Sequence, residues 1–167
     1  MPQAKSIRLL AIVRSIAADN PSFQDVLGPG AGDRSTNVFM QRVRQRAMAE
    51  FGIDYSEKRI SGDNSLAVDF HFPDEMVIVE IALGLANPAS EFEKDVLKAI
   101  MAMETGQPVR TLMFISRPGG AKKCRQSGRS AVMAWAKAIH GLEIEVYDLH
   151  GEPRKREHRR QAVEPAR

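Results

Sequence analysis

The sequence predicts one α/β domain in which a mixed β-sheet is flanked by helices. Apolar residues recur at spacings of three and four in four segments, and four other segments are short, β-branched or alternating runs. The two kinds follow one another as α, α, β, β, α, β, α, β, an order that sandwiches a sheet between helices. The length of 167 residues suits a single domain, and 43% hydrophobic with 27% charged residues is the balance of a soluble globular chain. We expect the domain to occupy residues 1–150, with an N-terminal helix and loop over 1–34, and residues 151–167 to form a basic, disordered tail.

Each element has its own signal. Ile7, Leu10, Val13, Ile16 and Ala17 mark an amphipathic first helix rather than a leader peptide. Residues 20–34 hold Pro21, Gly28, Pro29, Gly30 and Gly32, a loop composition. A second helix is expected from about Thr36 to Phe51, with Phe39, Val43, Ala47 and Phe51 on one stripe and Gly52 as its stop. Residues 66–72 and 76–82 are two strand-like arms around a polar Pro73-Asp74-Glu75 turn, a β-hairpin. Ser90 and Glu93 form a capping-box pattern opening a helix to about Thr105. A buried strand is expected over 109–116 and a last, alternating strand over 142–149. Between them, residues 122–140 read as one helix with Ala131, Trp135 and Ile139 inward.

Composition also excludes several chemistries. A single cysteine, Cys124, rules out an intramolecular disulfide framework and a multi-cysteine zinc site, and it suits a reducing, cytoplasmic compartment. No apolar run approaches the roughly 18 residues of a membrane helix, so no membrane partner is expected. No nucleophile elbow, Walker loop or dinucleotide fingerprint occurs. Charge is segregated along the chain. Residues 105–142 carry seven bases and no acid, whereas residues 50–104 carry twelve acids and four bases. Such a pattern suits an acidic metal site facing a polyanion, and equally two opposed faces that pair with each other or with protein partners.

The hairpin holds the most informative residues. A turn centred on Asp74–Glu75 puts Asp69 opposite Glu80, each between apolar neighbours. Two carboxylates side by side in an apolar hairpin are costly unless something positive serves both. A shared cation bound through oxygen, for which Mg²⁺ is suited, explains the pair. A basic side chain from a neighbouring helix, or a wet edge hairpin, are the alternatives.

The order helix, hairpin carrying an Asp and then a Glu, helix, strand resembles the PD-(D/E)XK, or restriction-endonuclease-like, superfamily over residues 36–148. The resemblance implies an α-β-β-β-α-β core and an Mg²⁺- or Mn²⁺-dependent active site. Asp69 is similar to the family's first acid and Glu80 to its second, and Glu50 is similar in place to an acid some members supply from the preceding helix. The motif reads Glu80-Ile81-Ala82, so alanine stands where the family carries lysine. Some members recruit a lysine from the following helix, and Lys94 and Lys98 are one turn apart there.

The resemblance implies a DNA endonuclease with Asp69, Glu80, Lys94, Lys98 and Glu50 as catalytic candidates, DNA as partner and a homodimer to cut two strands. Arg117, Lys122, Lys123 and Arg125 are the candidate phosphate contacts, with the amides of Gly119 and Gly120 suited to an anion. Ala82 favours the alternative of a catalytically silent relative that binds nucleic acid or a protein partner. Plain structural readings stand beside these: an Arg46–Glu50 surface pair, solvated Lys94 and Lys98, and an ordinary strand-to-helix turn at 117–120. His71 is expected to be packed, His140 to cap a helix end, and Cys124 to have a lowered pKa beside Lys123 and Arg125.

Overall fold

The computed structural model describes residues 3–20, 33–61, 66–87 and 90–149. Of the loop expected over 20–34, residues 21–32 lie outside the described residues, as does the basic tail at 151–167. Helices α1 (Lys5–Ala18) and α2 (Asp33–Phe51) come first. Leu9, Leu10, Val13, Ile16 and Ala17 of α1 are buried with Phe39, Met40, Val43 and Ala47 of α2, the stripes expected from helical spacing. Ala4 precedes α1 and has no side chain to cap it. The hairpin turn supplies the cap: Lys5 and Ser6 donate backbone N–H bonds to the Glu75 carboxylate, and Asp74 pairs with the Lys5 ammonium.

The sheet contains β1 (Ser56–Lys58), β2 (Val68–Phe72), β3 (Val77–Glu80), β4 (Thr111–Ser116) and β5 (Glu143–Asp148), adjacent in chain order. The pairs β1·β2 and β2·β3 are antiparallel, while β3·β4 and β4·β5 are parallel. Parallel neighbours need crossovers. Helix α3 (Phe92–Glu104) makes the first, and α4 (Gly120–Cys124) with α5 (Ser127–His140) makes the second. One core, between the sheet and α1 and α2, contains Phe70, Phe72, Val79, Ile81, Met113 and Ile115. The other contains Ile78, Leu112, Phe114 and Ile144 with Phe92, Val96, Ala99 and Ile100 of α3. The mixed sheet between two helical layers agrees with the expected class.

Four details differ from expectation. Strand β1 is short, polar and at the sheet edge, so Ser-Glu-Lys carried no alternation to reveal it. The helix expected over 122–140 is two helices, interrupted at Arg125–Gln126. On α5, Trp135 and Ile139 are 50% and 66% exposed, and Ala136 and Arg129 are the buried residues. An alanine-rich helix is weakly apolar all round, so periodicity could not choose its inner face. Finally, Ser90 caps nothing: α3 begins at Phe92, and the Ser90 hydroxyl accepts a bond from Arg129.

Arg129 ties the segment between β3 and α3 in place. Its buried guanidinium donates to the Leu85 carbonyl, the Asn87 carbonyl at 3.1 Å and the Ser90 hydroxyl, and lies over the Phe92 ring. At the β4–α4 corner the backbone itself is tightly packed. A Cβ on Gly120 would stand 2.3 Å from Ser116 Oγ. Gly120→Ala is therefore expected to lower stability by about 1–3 kcal/mol in urea unfolding, although helix propensity alone favours alanine. An unchanged or raised midpoint would contradict this packing.

Candidate functional site

The hairpin register is the one that the turn predicted. Phe70 pairs with Val79, His71 with Ile78 and Phe72 with Val77, so the next step outward brings Asp69 to Glu80. There the regular ladder gives way to side chains. Ile81 donates its backbone N–H to Asp69 Oδ2 at 2.8 Å, and the Asp69 N–H approaches Glu80 Oε2 at 3.4 Å. Glu80 is 4% exposed and lies in the parallel ladder opposite Phe114. Asp69 is half-buried.

A lysine meets this pair from α3. The Lys98 Nζ is 2.6 Å from Glu80 Oε1 and 2.7 Å from Asp95 Oδ1, and it donates to the Ala67 carbonyl at 3.1 Å. An ammonium has three protons, and three acceptors surround this one. Lys98 and Asp95 are only 6% and 7% exposed. They sit one turn apart, beside the apolar stripe formed by Val96, Ala99 and Ile100.

Two carboxyls on a single ammonium, with Asp69 beside Glu80 as a third, leave surplus negative charge in a poorly solvated place. Burial raises the Asp69 pKa, tempered by the Ile81 amide and the charges of Lys98 and Arg44. Burial, then Asp69 and Asp95, push Glu80 up to about 9 despite Lys98. Burial likewise raises Asp95 against the pull of Lys98. Burial alone would lower Lys98, but Glu80 and Asp95 outweigh it and hold the ammonium above the usual lysine value. The carboxyls of the cluster thus hold protons more tightly than they would in water.

The sequence-predicted residues divide clearly. Asp69, Glu80 and Lys98 come together. Lys94 does not: it is exposed and pairs with Glu91 at 3.0 Å. Glu50 does not either. It is exposed on α2, hydrogen-bonded to Arg8 rather than Arg46, beside an open groove between α1 and α2. That groove is on the helical layer opposite the one that delivers Lys98.

Of the expected phosphate contacts, Lys122 and Arg125 are exposed and Lys123 and Arg117 half-buried. They follow β4 at the end of the sheet where β3 closes with Glu80, and Gly119 lies against Ala86 of the segment after β3. Of the two amides expected to suit an external anion, Gly119 holds an internal carboxylate and Gly120 donates to the Arg117 carbonyl at 3.3 Å. Gly119 and Ala121 donate N–H bonds of 3.0 and 2.9 Å to the Asp148 carboxylate.

His71 is buried, with Nε2 3.4 Å from the Pro108 carbonyl. His140 lies 3.6 Å from Glu104 and edge-on to Trp135, while Gly141 forms the left-handed helix end. Burial pushes the Cys124 thiol up, opposite to the lowered value expected from its basic neighbours.

Sequence reading missed Asp95 and Arg44. Asp95 stands three residues before Lys98, the spacing of a helical ion pair, and that was its one available signal. Arg44 of α2 pairs with Glu57 at 2.8 Å and lends its charge to Asp69. Among the described residues no three His, Cys, Asp or Glu side chains converge as a ready-made metal cage, and Lys98 stands between Glu80 and Asp95. Two apposed carboxylates nevertheless match a Mg²⁺ donor set, because that ion takes one or two carboxylates and keeps several waters. No family model, curated protein or solved structure matches the chain.

These electrostatics fix a pH dependence. Glu80 has an ordinary value of 4.5 and is held near 9 in the fold. The folded protein therefore keeps a proton that the unfolded chain releases, and its metal-free stability falls as pH rises from about 4.5 through about 9. Glu80→Gln cannot ionise, so that variant should lose less stability between pH 5 and 9 in urea titrations. Parallel pH profiles for the two proteins would contradict the assignment.

Proposed function

We propose that this chain is a metal-dependent endodeoxyribonuclease of the PD-(D/E)XK type, hydrolysing phosphodiester bonds with Asp69, Glu80 and Lys98. The observation that carries the reading is the arrival of Lys98 from α3 at the acid pair. The motif lacks its amine at Ala82, and an amine reaches Glu80 by another route. The chain order α2, β1, β2, β3, α3, β4 also supports the resemblance, since the edge strand missed from sequence supplies the third strand of an α-β-β-β-α-β core.

In this reading Asp69 and Glu80 would hold Mg²⁺ or Mn²⁺, and the ion when bound supplies an acidified water and charge for the pentacovalent phosphorus. The chain's residues do the rest. Lys98 keeps its proton, so it serves as a fixed charge and donor that orients the attacking water or neutralises a phosphate oxygen, and not as a base. Lys122, Lys123, Arg125 and Arg117, at the same end of the sheet, contact the DNA backbone and position it without reading sequence. A homodimer would present two such sites to two strands.

A second reading, a nuclease-fold protein that binds nucleic acid without cutting it, is favoured by Ala82 and by the engagement of Lys98 with Glu80, Asp95 and the Ala67 carbonyl. Calorimetric titration of Mn²⁺ and plasmid nicking separate the two. Wild type should bind Mn²⁺ and nick, and Asp69→Ala should lose both. Lys98→Met should still bind Mn²⁺ but nick about 10²–10³-fold more slowly. A wild type that binds no Mn²⁺ would overturn the nuclease reading, and DNA binding without metal or nicking would establish the second.

A further inference from the structure

We propose that Asp95 is a positioning residue that keeps the Lys98 ammonium beside the acid pair when the Glu80 carboxylate turns to a cation. Its catalytic consequence rests on the nuclease reading, whereas its geometric claim does not. Without a cation, Lys98 is shared among Glu80, Asp95 and the Ala67 carbonyl. A divalent ion on Glu80 would withdraw one acceptor and repel the ammonium. A lysine stem is long and flexible, so the Ala67 carbonyl alone would hold it poorly. Asp95 sits on the same helix, one turn earlier, and its carboxylate reaches Nζ at 2.7 Å.

The ordinary explanation of an acid in the first turn, favourable charge at a helix N-terminus, does not account for this one. Glu93 occupies the same first turn and is exposed, whereas Asp95 is buried with its carboxylate on Lys98. Burial of a carboxylate without a fixed partner is costly. The i, i+3 spacing makes the contact independent of anything that happens to β3.

Acetic anhydride labelling of the full chain, read at Lys98 by mass spectrometry with exposed Lys122 as reference, tests the claim. Glu80→Gln imitates a Glu80 whose charge is taken up. Lys98 should stay protected in metal-free Glu80→Gln and in wild type saturated with Mn²⁺. Adding Asp95→Asn to Glu80→Gln should raise Lys98 labelling about tenfold, the loss of one charge-assisted hydrogen bond.

Labelling of Lys98 as fast as Lys122 in Glu80→Gln alone would overturn the proposal. So would unchanged protection in the folded double variant; if the double variant does not fold by circular dichroism, the single variant decides. In plasmid nicking, Asp95→Asn should lower kcat about tenfold with KM unchanged, and Asp95→Glu should restore part of it. An unaltered kcat would refute the catalytic consequence. Protection as described in a wild type that nicks nothing would remove the nuclease reading and leave the role of Asp95 intact.

Discussion

One buried ammonium shared by carboxyls on two elements is the constraint around which this molecule is arranged. Lys98 joins Glu80 of β3, Asp95 of α3 and the carbonyl of Ala67 before β2, so it fixes the helix against the open end of the hairpin. A buried charge is tolerable only when paired, and a balanced buried pair is at best a modest stabiliser. This cluster is not balanced. With Asp69 beside Glu80, three carboxyls lie close together and one ammonium contacts two of them. Burial of this surplus raises the proton affinity of all three carboxyls.

Other charged side chains in the fold show what structural use looks like. Glu75 takes the first amides of α1, Asp148 takes those of the β4–α4 corner, and Arg129 is spent on carbonyls and a hydroxyl between β3 and α3. Each meets backbone groups that would otherwise be orphaned at a helix end or in a turn. Those contacts position the site. Arg129 fixes how α3 starts relative to β3, which sets where Asp95 and Lys98 meet Glu80. Asp148 occupies the Gly119 and Ala121 amides at the corner.

How much was legible in the sequence depended on whether a local pattern sufficed. The Asp69–Glu80 apposition was readable because a polar turn between two β-branched arms sets register, and register sets faces. The choice between Lys94 and Lys98 was not readable. Both lie on one helix a turn apart, and only the packing of Val96, Ala99 and Ile100 turns Lys98 inward and leaves Lys94 with Glu91. Asp95 carried no signal beyond its i, i+3 spacing to Lys98. Strand β1 was invisible because it is short and polar at an edge, and the inner face of α5 was lost in a run of alanines. Glu50 had the right place in the chain order, but α2 presents it to Arg8.

The central claim is that Lys98 supplies from α3 the amine that Ala82 cannot supply from the strand. Ala82 packs with the core on the α3 side of the sheet, the side from which Lys98 reaches Glu80. A lysine moved there should therefore meet the same carboxylates. The most direct measurement is Mn²⁺-dependent plasmid nicking by Lys98→Met and by the double variant Ala82→Lys, Lys98→Met. The account predicts that the single variant is nearly inactive and that the double variant regains nicking. A folded double variant that binds Mn²⁺ yet nicks no faster than Lys98→Met would contradict it.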